Sequence, residues 1–330
     1  MPDLVVRFKG SGIMLNFVIQ ALEGIFTIIF IVGIGYVLSK KGWFDERSSS
    51  LIARLVTTVS LPLYMITSLT KNFTADRLAK MAPDMLLPVG SMLLALLVGK
   101  LASRLFKVQK GRRGIFCTNY FIANTMFIGL PVNFAFFGDQ SIPSVMLYYI
   151  VNTIFFWTLG VHNIVADTEN SQTRIFSPTV LKNLLSPPLL GFFAALLLIL
   201  ADIKLPRFLF NSFQYVGNLT TPMSLIFIGI EISRISLHSF NFEKDIIGGL
   251  FGRFVICPLC VLALVPLLTV SDMSIKVFTM QAAMPAMTQM AIVAKQYGVD
   301  SQYAAALSFI TILFGLLVIP VYMTIVNICF

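Results

Sequence analysis

Of the 330 residues, 57% are hydrophobic and 12% charged, with 24 lysines and arginines against 15 aspartates and glutamates, a net charge of +9. A soluble domain carries roughly a quarter charged residues to cover its surface, so this composition excludes the soluble classes. The basic excess sits in short clusters between apolar runs, such as Lys40-Lys41 and Lys107, Lys110, Arg112 and Arg113. That pattern orients membrane helices and argues against a nucleic-acid surface.

The first thirteen residues carry Arg7 and Lys9 but no cleavage site of the signal-peptide kind, and Met14 opens the first hydrophobic run. Residues 1–13 read as a disordered N-terminal extension. From there, apolar runs of bilayer-spanning or near-spanning length, about 20 residues for ~30 Å of hydrocarbon, predict ten helices. They fall at 15–38, 48–70, 83–105, 113–137, 142–165, 180–201, 210–232, 245–268, 275–296 and 302–328. The odd-numbered connections hold fourteen basic residues against eight on the even side with the N-terminus, which predicts odd loops in the cytoplasm and both termini outside.

The longest polar connection, a cytoplasmic linker at 167–178, divides the chain into 14–166 and 179–330, and the halves echo each other. Ser60-Leu61-Pro62 answers Thr221-Pro222-Met223 at an offset of 160, as Gly138 and Ser141 answer Gly298 and Ser301. Pro131 in the fourth helix answers Pro285 in the ninth at an offset of 154. Five helices per half force the second half to insert upside down, giving two inverted five-helix repeats, a signature of secondary transporters.

The fourth helix reads Asn124-Thr125-Met-Phe-Ile-Gly129-Leu-Pro131, and the ninth Gln281-Ala-Ala-Met-Pro285-Ala-Met-Thr288-Gln289. Proline removes a donor and clashes one turn back, and glycine loosens the chain further, so both helices are predicted to break near mid-membrane. Freed backbone groups there need protein, water or substrate, and half-helix N-termini favour an anion. Asn124, Thr125, Gly129, Pro131, Gln281, Pro285, Thr288 and Gln289 are therefore the candidate substrate-binding residues.

The Asn124-to-Pro131 segment resembles the auxin efflux carrier family, which includes the plant PIN-FORMED proteins and bacterial malate and malonate permeases. Gly33-Ile-Gly35-Tyr36 with the following Lys-Lys-Gly-Trp-Phe, Ser60-Leu-Pro62, Ser186-Pro187-Pro188-Leu-Leu-Gly191 and the ninth helix carry the same resemblance from Met14 onward. It implies a crossed-helix fold similar to sodium/proton antiporters and bile acid symporters. Helices 1, 2, 6 and 7 would form the scaffold and helices 3–5 and 8–10 the transport part, with helices 4 and 9 crossing at the prolines. It also implies that Asn152 is the polar support residue on helix five. The long cytoplasmic loop of the plant members is absent, which favours a bacterial permease.

Glu231 and Arg253 are the intramembrane charges of most interest. Glu231 reads as a coupling-proton site or as a carboxylate snorkelling at the cytoplasmic end of its helix. Arg253 reads as facing a substrate carboxylate or, preferred, as half of a structural ion pair with Glu231 as the candidate partner. Asp139 and Asp300 are expected to cap the helices that follow them. Cys257 and Cys260 form a C-x-x-C, but no second pair or nearby histidine accompanies them, so no metal site and no cofactor is expected. Met280, Met284, Met287 and Met290 read as packing.

The reading is a secondary transporter moving small organic anions such as malate, malonate or an auxin-like carboxylate by elevator-type alternating access. A cation/proton antiporter of the same fold and a membrane sensor stay open as alternatives. An intramembrane enzyme is disfavoured, because two histidines, His162 and His238, supply no nucleophile–base pair. The expected setting is the cell inner membrane, with proton coupling and a homodimer through the scaffold left open.

Overall fold

The computed structural model describes residues 26–166, 187–234 and 244–330. The N-terminal extension, the 167–178 linker, His238 and the first part of the sixth helix lie outside them. The described residues are helical, apart from turns and one isolated bridge between Ala123 and Ala286.

In chain order, α1 spans Phe26–Lys40. α2 (Glu46–Leu55) runs through a π-turn into α3 (Leu61–Asn72), and α4 (Ala75–Met81) through a 3-10 turn into α5 (Leu86–Leu105). Then come α6 (Arg113–Phe121), α7 (Leu130–Phe137), α8 (Ile142–Phe155) and α9 (Val161–Ala166). The remainder is α10 (Pro187–Leu200), α11 (Arg207–Gly217), α12 (Thr220–Ser233), α13 (Lys244–Phe251), α14 (Cys257–Leu264), α15 (Asp272–Ala282), α16 (Gln289–Gln296) and α17 (Ser301–Cys329). Among the described residues, six helical stretches are long and apolar enough to cross a membrane by length and composition: Arg47–Asn72, Ala75–Leu105, Thr125–Ala166, Arg207–Ser233, Lys244–Leu267 and Ser301–Cys329. The chain is an all-helical, multi-pass membrane protein.

Prolines are absorbed in a recurrent way. π-turns at Val56–Ser60, Thr125–Gly129 and Gly252–Ile256 each end two residues before a proline, at Pro62, Pro131 and Pro258. A proline deletes one rung of the i→i−4 ladder, and widening the preceding turn takes its ring out of the carbonyl it would strike. Thr57 and Thr58 donate to the carbonyls of Ala53 and Arg54 beside the first of these turns, at 2.9 and 2.5 Å. This corrects the expectation at Pro131. It does not break its helix but sits in the first turn of α7.

The α2 start carries a reciprocal cap: Asp45 accepts the Ser48 N–H while the Ser48 hydroxyl takes the Asp45 N–H. The Ser48 hydrogen bonds hold the Asp45 carboxyl below its ordinary value. α3 packs on α10 and α11, and α12 on α2. α5 packs on α6 and α14, and α15 on α14, α8 and α17. Outward faces are apolar, with Phe30, Leu97, Leu101, Leu197, Phe208 and Leu317 exposed as side chains that face lipid would be.

Of the two expected caps, only one forms. Asp300 accepts from the Tyr303 N–H at 2.9 Å and caps α17. Asp139 instead accepts from Ser68 at 3.2 Å and Tyr64 at 3.5 Å, on α3. Asp300 directly precedes Ser301, the first residue of α17, whereas Asp139 lies inside a 3-10 turn, three residues before α8 starts at Ile142.

Candidate functional site

Two helical lines stop inside the protein and meet. The first is α6, which gives way to the extended residue Ile122 (φ −107°, ψ 125°) and restarts after Asn124. The second is α15, which ends at Ala282; residues 283–288 separate it from α16. The two interruptions run antiparallel, with Ala123 bridged to Ala286 and the Asn124 N–H donating to the Pro285 carbonyl at 2.8 Å.

Side chains from two further helices close the remaining backbone groups. On α8, the Asn152 amide pairs with both faces of one residue: its Oδ1 accepts the Ala123 N–H at 2.9 Å and its Nδ2 donates to the Ala123 carbonyl at 3.1 Å. On α17, the Thr311 hydroxyl accepts the Ala286 N–H at 3.0 Å. Unpaired peptide groups at this depth would each cost several kcal/mol in hydrocarbon, so these contacts are what permits extended backbone here. Asn152 and Thr311 are fully buried and lie 159 residues apart, one short of the 160-residue offset between the halves.

The restarting helix after the first break is capped by Asn124, whose Oδ1 accepts the Phe127 N–H at 3.2 Å. Gln281, in the last turn of α15, sends its Nε2 to the Thr125 carbonyl at 3.4 Å. Its Oε1 has no hydrogen-bond partner and lies over Gly129, where a Cβ would come within 2.1 Å of it. The glycine is therefore a requirement of close approach at this point. Asn133 supplies one more bond, from Nδ2 to the Gly129 carbonyl at 2.7 Å.

The stopping ends of α6 and α15 are closed by Arg253, which is completely buried. Its Nη1 donates to the carbonyls of Asn119 (2.8 Å) and Ile122 (2.5 Å), and its Nη2 to Ala282 (2.8 Å). Cys257 donates its thiol to the Tyr120 carbonyl. The expected pair with Glu231 does not form. Glu231 takes Ser49 at 2.7 Å and Arg234 at 3.3 Å, at the end of α12. Arg253 lies nine residues past Lys244, ~14 Å along the helix axis at 1.5 Å per residue, so it is deeper than a position at the helix start.

Of the sequence candidates, Asn124, Thr125, Asn152, Gln281 and Pro285 meet at this crossing, and all five are buried. Gly129 is drawn in by Gln281, while Pro131 follows one turn beyond. Thr288 is half-buried and Gln289 exposed at the start of α16. Sequence reasoning missed Thr311, Asn119 and Asn133. The 160-residue offset applied to Asn152 lands on Ile312, one residue beyond Thr311, and the other two have no such signal. Pro285 also lines an apolar recess of about 480 Å³ including its open mouth, together with Ile28, Val32, Ile128, Ile312 and Ile319 among others.

Two interrupted helices paired through their backbones make a polar centre inside an apolar bundle. The family model described as membrane transport protein matches residues 20–323. The chain belongs to the auxin efflux carrier family of membrane transport proteins. An uncharacterized transporter of Methanocaldococcus jannaschii is 23% identical over 309 residues, covering 91% of this chain and 97% of that protein. An uncharacterized transporter of Methanothermobacter thermautotrophicus is 24% identical over 305 residues, covering 91% and 96%. The match to these auxin efflux carrier relatives runs end to end, so the crossing lies within the shared region.

Proposed function

We propose that this auxin efflux carrier family member is a secondary carrier for small organic anions, such as malate, malonate or an auxin-like carboxylate, with its site at the crossing of the two interrupted helices. The observation that carries this is the antiparallel pairing of Ala123-Asn124 with Pro285-Ala286, held by Asn152 from one half and Thr311 from the other. The two helices that restart there, at Thr125 and Gln289, present the positive ends of their dipoles toward the same region.

The pairing also supports a fold of ten helices in two inverted five-helix repeats. Helices one, two, six and seven would correspond to α1, α2–α3, α10 and α11–α12, and would form the scaffold. The rest would form the transport part, moving as a unit in an elevator-type cycle. We place the carrier in the plasma (inner) membrane, and the distribution of basic residues supports both termini outside. The scaffold helices are the surface through which we propose a homodimer, and proton coupling is the remaining option for an energy source. A cation/proton antiporter would need acidic side chains at the crossing, and the described residues that meet there are amides, hydroxyls and Arg253.

The test is uptake of labelled malate, malonate and indole acetate into proteoliposomes, with and without a pH gradient, for the wild type and Asn124→Ala. Saturable uptake lost in the variant supports the reading. Uptake indifferent to Asn124→Ala removes the crossing as the site, and no uptake of any acid favours the antiporter or a sensor.

A further inference from the structure

Arg253 is the largest side chain that the described protein buries completely, and it is a permanent cation. None of the ion pairs found among the described residues involves it. What it does face is the C-terminal end of α6, which contributes two backbone carbonyls, and the C-terminal end of α15, which contributes one. A helix C-end carries roughly −0.5 of an elementary charge, so two of them balance about one guanidinium.

The surrounding sequence is built to bring this side chain there. α13 and the π-turn after it lie against α6 through small residues. The Tyr120 hydroxyl donates to the Gly248 carbonyl at 2.8 Å, and the Asn119 amide to the Gly249 carbonyl at 2.9 Å. At Gly252 a Cβ would sit 2.1 Å from the Tyr120 ring, so a larger residue would push the two helices apart and draw Arg253 away from its carbonyls. A guanidinium presents donors in a planar fork that reaches carbonyls from two helix ends at once, whereas an ammonium is a single point on a shorter reach.

We propose that Arg253 is the built-in counter-cation of the crossing: a positioning residue that neutralises both stopping helix ends and pins the two interrupted segments to each other. The proposal rests on the carrier reading, and gives it a division of labour. With the negative ends balanced inside the protein, the positive ends of the restarting helices stay available to a carried anion, and no bound metal ion is required at the carbonyl side of the crossing.

The experiment uses the full chain with Arg253→Ala, Arg253→Met and Arg253→Lys, purified in detergent and reconstituted. Thermal unfolding and uptake of the carboxylate panel are measured with millimolar guanidinium or with choline at equal ionic strength. Arg253→Ala should lose about tenfold or more of its uptake, the scale of one charged hydrogen bond lost from a buried site. It should recover both midpoint and uptake with guanidinium and not with choline. Arg253→Met, which fills the volume without the charge, should be impaired and not rescued, and Arg253→Lys should fall between it and wild type. Arg253→Met matching wild type, or guanidinium acting equally on Ala and Met, overturns the proposal in favour of a space-filling role. If Arg253→Ala cannot be recovered from membranes, Lys against Met decides, since equal behaviour of these two also overturns it. If the wild type moves no carboxylate, the carrier reading fails while the thermal comparison still decides the role of Arg253.

Discussion

Asn152 and Thr311 hold the two residues of one backbone bridge: Asn152 takes both the N–H and the carbonyl of Ala123, and Thr311 takes the N–H of Ala286. One is an amide with a donor and an acceptor, the other a hydroxyl that accepts here and donates to the Ser308 carbonyl at 2.7 Å.

The difference predicts unequal costs. Each variant leaves one buried N–H without its acceptor, that of Ala123 in Asn152→Leu and that of Ala286 in Thr311→Val, at about 1–3 kcal/mol each. Asn152→Leu also loses a second bond, to the Ala123 carbonyl, which keeps only the Thr125 N–H at 3.0 Å. Thermal unfolding in detergent should rank Asn152→Leu below Thr311→Val, and both below wild type. An equal, small effect from both would mean that the crossing is not held by these side chains.

Gly129→Ala should be destabilising by about 1–3 kcal/mol, the usual cost of forcing a methyl group into a packed site. The obstruction is the Gln281 carboxamide rather than backbone. Shortening it in the double variant Gly129→Ala/Gln281→Ala should recover most of the loss, and a double-mutant cycle on unfolding midpoints reads this coupling directly.

Asp300 links pH to stability. Burial raises its carboxyl pKa, but the Tyr303 N–H and the Arg112 guanidinium outweigh that and hold it below the usual 3.8. A group with a depressed folded pKa contributes stability that is present above the unfolded value and is lost as pH falls through the folded one. Asp300→Asn keeps the helix cap and loses the 2.7 Å contact with Arg112. Its unfolding midpoint should lie slightly below wild type from pH 5 to 8, by under about 1 kcal/mol because the pair is partly solvated. The gap should close as pH drops below 4. A gap that widens in acid would contradict the assignment.

Glu231→Gln should leave the pH dependence of uptake unchanged. Its carboxylate is held by Ser49 and Arg234 at the end of α12, among helices assigned to the scaffold rather than at the crossing. A pH profile shifted by this substitution would make Glu231 a coupling group after all.

How much of this was legible follows from what each signal measures. Apolar runs report where lipid is the solvent, so helix positions could be read closely; α17 runs from Ser301 to Cys329 where 302–328 was expected. Proline alone could not locate the breaks. Pro285 lies in one, while Pro62, Pro131 and Pro258 are accommodated by π-turns in helices that continue. The first break carries no proline; its mark is Asn124, which caps the restarting helix three residues before Phe127. Asp139 and Asp300 looked equivalent because both follow a glycine, yet one is the first residue after it and the other the second. Arg253 was legible as an anomaly and not as a clamp, because its partners are carbonyls that have no identity in a sequence.

The bridge between Ala123 and Ala286 also sets an order of manufacture. Asn124 leaves the ribosome 161 residues before Pro285 does. At about 5–20 residues per second, that leaves the first interrupted helix without its partner for roughly 10–30 seconds. Asn152, only 29 residues downstream of Ala123, arrives early enough to shelter the open peptide, whereas Arg253 and Thr311 belong to the second half. Newly inserted chains that lack Asn152 would pass that interval with bare amides in the membrane, exposed to quality-control proteases before the other half exists.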